Sequence, residues 1–435
     1  MALISNSAPP TSSLSRLRQA WQQGRVSQYL LLLACVAGVA GLFASRALVA
    51  LSPLVGVAAA LANPKARLAL VPWLRNRSAW GLALLYLLLV VSGLYTEDWP
   101  VWKHQIYRQL PLIGVPLAFA LAVPLSAQQR YAVGCLFVAG ASLVGGATVI
   151  RYLLNPLANN ELIMMGQNTA SVTGIFHIHF GLMLALAAYF GPLLSSSRYA
   201  GRVAQGLLIL GGISAAVALH VLAYRTGLLV LYAALLVNGV FLIVKQRRYL
   251  LGGILLAFLL IAPFLTYNLL TSFRYRVLGT AYDIAQFSAD RDINDFSVSQ
   301  RFAAWETARV ITTFRPWVGV GIADVRAEMM RQYEWRDYGL SPANRVMIHN
   351  QYLHYLVGGG VIGLFLWLLV LLGPLAQPSL RRNPYVIHFL VVMGTGMLVD
   401  SLLELQIGFN LFVFLYSFLV VAGERRGQMA AANLP

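Results

Sequence analysis

"ALHVLAYRTGLLVLYAALLV", residues 218–237, is apolar almost throughout, yet Arg225 stands near its middle between Tyr224 and Thr226. No acidic residue lies within fifty positions of it on either side. An unpaired guanidinium in hydrocarbon costs ~2.5–3.5 kcal/mol or more. The stretch therefore reads as the ends of two membrane spans, with the charged break at their common boundary. The same pattern runs through the whole chain of 435 residues, which is 59% apolar and 11% charged with a mean hydropathy of +0.69. Soluble domains carry ~25% charged residues. Apolar runs of roughly 18–22 residues, each long enough to cross a ~30 Å hydrocarbon core, alternate with short charged breaks. They predict an all-α polytopic membrane protein of about twelve spans: 27–44, 46–62, 78–95, 106–124, 131–153, 172–192, 203–223, 226–244, 249–269, 351–375, 385–402 and 405–422.

The net charge of +17 is distributed unevenly over these spans. With the N-terminus inside, 17 of the 32 basic residues and only Glu424 among the acids fall on the cytoplasmic side. The other side holds 15 basic residues and 14 acids. This is the positive-inside asymmetry. It places both termini in the cytoplasm and accounts for the charge without a nucleic-acid partner. Residues 1–26 are too long and too polar for a signal peptide and read as a retained tail. The expected organisation is that tail, spans one to nine over 27–269, an exterior segment over 270–350, spans ten to twelve over 351–422, and a C-terminal tail over 423–435. Cys35 and Cys135 lie inside apolar spans and read as small buried hydrophobes.

The exterior segment is far longer than the other connections and is expected to fold into a small helical domain. "SVSQRFAAWETARVITTF", 297–314, offers Ser297 or Ser299 as an N-cap and apolar residues at helical spacing. "RPWVGVG", 315–321, breaks it, and "ADVRAEMMRQYEW", 323–335, predicts a second helix. All ten basic residues of the segment are arginine, set against nine acids. Arginine presents a rigid donor fork that grips phosphate oxygens in pairs. With only three lysines in the chain, part of that preference is compositional.

Two places stand out as candidates for chemistry. Arg225 either snorkels to the interface or clamps an anion at the mouth of an exterior cavity. In "HNQYLHYLVGGGVIGLFLW", 349–367, His349 and Asn350 stand where span ten begins. A histidine in the first helical turn feels the positive end of the dipole, which favours neutral imidazole and a proton-accepting role. The glycines at 358, 359, 360 and 363 suit close helix packing. His354 points to a different face. His177 and His179, in "FHIHF", lie roughly 200° apart around a helix and do not make a metal pair. "DRDIND", 290–295, starts like a calcium loop but lacks its Gly and final Glu. Asp400 and Glu404 near the exterior ends of the last two spans are open to ion pairing, acceptor binding or simple exposure. No nucleotide, zinc or dinucleotide signature occurs. Arginine and histidine at an exterior membrane boundary suit phosphate on a membrane-embedded carrier, with a leaving group that positive charge stabilises.

In this order, "YRTGLL" (224–229), "SQRFAAW" (299–305), "RPWVGVG" (315–321) and "HNQYLHYLVGGGVIG" (349–363) resemble the O-antigen ligase and polymerase family. The resemblance covers residues from about 200 to 375. It implies a fold like that of the C-type membrane glycosyltransferases and an undecaprenyl-diphosphate-linked glycan as donor. It implies catalytic roles for Arg225, Arg301 and His349, with Tyr224, Asn350 and Arg315 completing the substrate-binding set and no cofactor. Tyr224 stands where the family commonly has serine. The implied setting is the bacterial inner membrane with the site facing the periplasm. Ligase, polymerase and protein O-oligosaccharyltransferase share this donor and differ in acceptor. The short C-terminal tail favours the ligase, whose acceptor is lipid A–core. A transporter or lipid flippase is the alternative of another class, although it would be expected to carry repeats and mid-membrane acids.

Overall fold

The structure is a computed structural model that describes residues 13–289 and 291–432, and it is helical throughout, with no strand among the described residues. Each of the twelve expected spans falls on helical chain, and among the described residues eight helices are long and apolar enough to cross a membrane. These are Arg25–Ala44, Ala127–Leu154, His177–Ser195, Arg202–Leu222, Arg225–Val244, Tyr249–Leu269, Gln351–Ala376 and Gln406–Ala430. The other four expected spans are shorter or broken. Arg46–Leu61 meets Ala66–Leu74 at a 113° bend, and either these two form one broken span or the count stays at eight. The run at 106–124 is divided into Trp99–Arg108 and Pro111–Leu121, because Pro111 opens a new helix. Arg77–Ser92 and Pro384–Gly396 are apolar but short. Hydropathy sums side chains and is blind to where the backbone turns.

The bundle is built by burying one side of each helix and leaving the other to lipid, where every backbone group must be paired within its own helix. Tyr249–Leu269 lies at the edge, with Leu250, Leu260 and Phe264 fully outward. His177–Ser195 lies at the centre and is buried along most of its length. A tight corner joins Arg202–Leu222 to Arg225–Val244. Ala223 takes a left-handed conformation, φ 50°, and Tyr224 precedes the first helical residue, Arg225. The two cysteines are free.

Between Tyr249–Leu269 and Gln351–Ala376 the chain forms three helices, Thr271–Ser288, Ser297–Phe314 and Val325–Trp335. Their own small core includes Ala304, Ala308, Ile311, Met329, Tyr333 and Ile348. The expected serine N-cap is not used. Phe296 occupies the cap position, and the free amides of Val298 and Ser299 each donate to the Asp283 carboxylate at 2.9 Å. A carboxylate from the preceding helix thus does the work of a local cap and answers the positive end of the helix dipole.

The glycine-rich pieces explain one another. Inside Gln351–Leu372, Gly360 adopts φ 62° and ψ −159°, which kinks the helix. Segment 315–321 lies along that kink. Val320 and Gly321 donate to the carbonyls of Val357 and Gly358 at 2.9 Å each, and Val361 donates to Pro316 O at 2.8 Å. A broken helix in a membrane protein must find partners for its freed backbone groups, and the segment between the two spans supplies them. A Cβ on Gly360 would overlap the Trp317 carbonyl. Gly360→Ala is therefore expected to lose at least ~1–3 kcal/mol from left-handed strain alone, read as a lower Tm in detergent. Gly253→Ala, which meets nothing within 4 Å, should leave Tm nearly unchanged.

Candidate active site at the exterior membrane boundary

Arg225 opens its helix at the corner just described, so its side chain leaves the bundle end and meets the loop domain. Its Nη1 donates to Ser297 Oγ at 3.3 Å and stands 3.8 Å from Asp283 Oδ2. Its Nε is buried with no partner among the described residues. Asp283, already holding two helix amides, is thus shared between the loop helix and Arg225. On that loop helix Arg301 sits in the second turn. No carboxylate comes within ion-pair distance of it among the described residues. Burial depresses the Arg301 pKa, opposed by the charges of Asp400 and Asp283.

A third guanidinium joins these two. Arg276 is 3% exposed and its fork donates to the carbonyls of Gly166 and Gln167, pinning the loop that leads to His177. Burial, then the charge of Arg225, pushes its pKa down to about 9, against a smaller upward effect of Tyr224. No sequence feature sets Arg276 apart from the other arginines of its segment. What distinguishes it is the turn of one helix, and no local pattern encodes that.

His349 does not lie in the first helical turn. The helix begins at Gln351, and Asn350 is its N-cap, accepting from the amides of Tyr352 and Leu353 at 3.0 and 3.1 Å. His349 precedes it in a left-handed conformation, φ 47°. Its ring orientation and tautomer are set by a carboxylate partner: Nδ1 lies 2.7 Å from Asp400 Oδ1. Hydrogen bonding there fixes the proton on Nδ1 and leaves Nε2 as the basic nitrogen. Asp400 is held below the ordinary carboxylate range. Burial opposes its ionisation, but the bond and charge of His349 and the charges of Arg301 and His179 outweigh it. The other Asp400 oxygen is buried without a partner among the described residues.

Trp305 ties the two halves of the site together. It lies one turn after Arg301, and its indole N–H donates to Ile348 O at 2.8 Å. The arginine and the backbone carrying His349 are therefore held by one helix.

The remaining expected residues take separate positions. Tyr224 is buried, and its hydroxyl donates to Thr169 O at 2.7 Å. The Asn350 side chain caps the helix and also donates to Leu398 O at 2.9 Å. Arg315 lines a different cavity, of about 390 Å³, with Glu97, Asp324 and Arg331. His177 and His179 open the central helix on the Asp400 side. His179, with Nε2 unpartnered among the described residues, borders a cleft of about 580 Å³ with Arg46, Phe176 and Gln406. Glu404 belongs elsewhere, bonded to Arg108 at 2.9 Å and 3.2 Å from His354. No group of three His, Cys, Asp or Glu side chains is placed to hold a metal among the described residues. In the 290–295 stretch Asp290 lies outside the described residues, and Asp292 accepts from Asn294.

Buried positive charge with few acids and a His–Asp pair beside it is an arrangement that can hold an anion, with a proton acceptor at its edge. Residues 210–368 match the family model described as O-antigen ligase. Over that region the chain is similar to the O-antigen ligase family. No curated protein matches the chain. The matched region takes in Arg225, Arg276, Asp283, Arg301 and His349, while Asp400 and His179 come from outside it. The matched family is one of glycan-transferring ligase or polymerase type.

The Asp283 cap gives a direct test of how the site is assembled. Asp283→Ala should cost about 0.5–2 kcal/mol as a lost N-cap. It should also speed hydrogen exchange at the amides of Val298 and Ser299 while the Gln351–Leu372 helix stays protected.

Proposed function

We propose that the chain transfers a glycan from undecaprenyl diphosphate to a sugar hydroxyl of lipid A–core, at the periplasmic face of the bacterial inner membrane, without a metal ion. The observation that carries this reading is the His349–Asp400 pair, 2.7 Å apart, beside the guanidiniums of Arg225, Arg301 and Arg276. The two halves suit the two ends of a glycosyl transfer.

In this mechanism Arg225 and Arg301 bind the diphosphate, and Arg276 adds its charge from behind. The acceptor oxygen attacks the anomeric carbon as its proton passes to His349 Nε2. The new C–O bond forms while the bond from that carbon to the diphosphate oxygen breaks. The electron pair leaves on the diphosphate, where the guanidiniums stabilise it. Asp400 stabilises the imidazolium that forms and keeps the ring oriented. A single displacement inverts the anomeric centre. The energy comes from the lipid diphosphate, so no nucleotide sugar is needed. The C-type fold that the resemblance implies would likewise set the reactive groups on one membrane face. Polymerase and protein-glycosylating relatives would use the same donor half, and only the acceptor separates them.

Purified protein in detergent with EDTA, given undecaprenyl-diphosphate glycan and lipid A–core, is expected to make a lipopolysaccharide ladder. Arg301→Ala should lower kcat by about 10²–10³, the loss of one preorganised donor, or ~2.7–4 kcal/mol. Arg225→Lys should restore little, because an ammonium lacks the fork. His349→Ala should abolish turnover. If the wild type lengthens the donor and leaves lipid A–core untouched, the acceptor is another lipid-linked glycan. If an intact fold transfers nothing to any acceptor, the reading fails and transport becomes the better account.

A further inference from the structure

The ends of the helices opposite the site enclose a second arginine-lined cleft. Arg202–Leu222 starts beside Tyr199 and ends at the Arg225 corner, and Pro384–Gly396 starts beside Asn383 and ends short of Asp400. A helix of 21 residues spans ~31 Å at 1.5 Å per residue. The cleft is therefore a membrane thickness away from the candidate active site, on the face that the charge count assigns to the cytoplasm.

The cleft has a volume of about 330 Å³. Arg130, Arg426 and Tyr199 line its polar side, and Phe137, Phe190 and Phe418 line its apolar side. A smaller adjoining cavity shares Arg130, Arg426 and Phe418 and adds Arg425. Arg425 is 7% exposed, gives Nη1 to the carbonyls of Phe119 and Ala122 at 3.1 and 2.7 Å, and keeps Nε buried without a partner among the described residues. Arg130 spends Nη1 on Leu125 O at 2.6 Å. The nearby acid in sequence, Glu424, is engaged by the amides of Arg77 and Ser78 and by the Ser78 hydroxyl. No carboxylate pairs with Arg130, Arg425 or Arg426 among the described residues.

Three guanidiniums in partly buried surroundings without an acid require an anion. Free phosphate would answer the charge but leave the aromatic wall bare. A lipid answers both, because its headgroup phosphate meets the arginine forks while its chain covers the phenylalanines. We propose that this cleft binds an anionic phospholipid by its phosphate, between Arg130 and Arg426. The site is independent of glycan transfer and stands or falls apart from it.

Native mass spectrometry of the full chain in detergent, titrated with phosphatidylglycerol, phosphatidylcholine or inorganic phosphate, tests the assignment. The wild type should retain one phosphatidylglycerol more tightly than either alternative. Arg426→Gln should weaken it by at least about tenfold, the ratio that loss of one charge-assisted hydrogen bond gives. Arg381→Gln removes a charge from an exposed position on the same face and should leave binding unchanged. Equal affinity in Arg426→Gln and Arg381→Gln overturns the proposal, and so does inorganic phosphate binding as tightly as the lipid. If Arg426→Gln does not fold, phenylglyoxal modification of wild-type Arg426 decides. Phosphatidylglycerol should slow it and phosphatidylcholine should not, and equal rates in the two lipids contradict the site.

Discussion

Three guanidiniums meet at one membrane boundary with too little negative charge to neutralise them. Asp283 stands 3.8 Å from Arg225 but is already holding two helix amides, and Asp400 is taken by His349. Burying such a set is costly in any folded protein. The cost is offset by the surrounding helices, which hold each charge in place: the corner at Ala223 for Arg225, the carbonyls of residues 166 and 167 for Arg276, and the loop helix for Arg301. The balance of charge favours an anion at this spot, and a diphosphate has oxygens enough for the forks of Arg225 and Arg301 while Arg276, bonded to the two carbonyls, adds its charge from behind.

The loop domain is joined to the membrane helices through the backbone. Segment 315–321 hydrogen-bonds to the kinked helix around Gly358 and Gly360, and Trp305 holds the carbonyl of Ile348. These links transmit position to the residue that matters. His349 sits immediately after one anchor and before the helix cap, in a strained left-handed conformation. Strain of this kind persists where the surroundings over-determine it and gathers at functional sites. The glycines serve both joins: Gly358 and Gly360 face the loop segment, while Gly359 and Gly363 let Leu88 of the Arg77–Ser92 helix pack close.

Much of this was legible from residues alone. The helical class, the corner at Arg225 and the loop helix at 297–314 followed from hydropathy, breaks and spacing, and Arg301 was singled out by the resemblance alone. What was not legible has a common cause. Asp400 meets His349 across 51 positions, and Asp283 replaces a local serine cap across 15. Arg276 gains its place from the rotation of its helix. Such partners are chosen by tertiary approach, and periodicity carries no trace of it. The number of full-length spans was overstated for a related reason, since Pro111 and the turn after Gly396 interrupt helices inside apolar runs.

The central claim is that the arginines hold the diphosphate and the His349–Asp400 pair acts only on the acceptor. Binding of undecaprenyl diphosphate to purified protein, compared with undecaprenyl phosphate, separates the two most directly. The account predicts that the diphosphate binds more tightly, that Arg301→Ala weakens it strongly, and that His349→Ala leaves it intact. Undiminished binding in Arg301→Ala, or loss of binding in a folded His349→Ala, would contradict it.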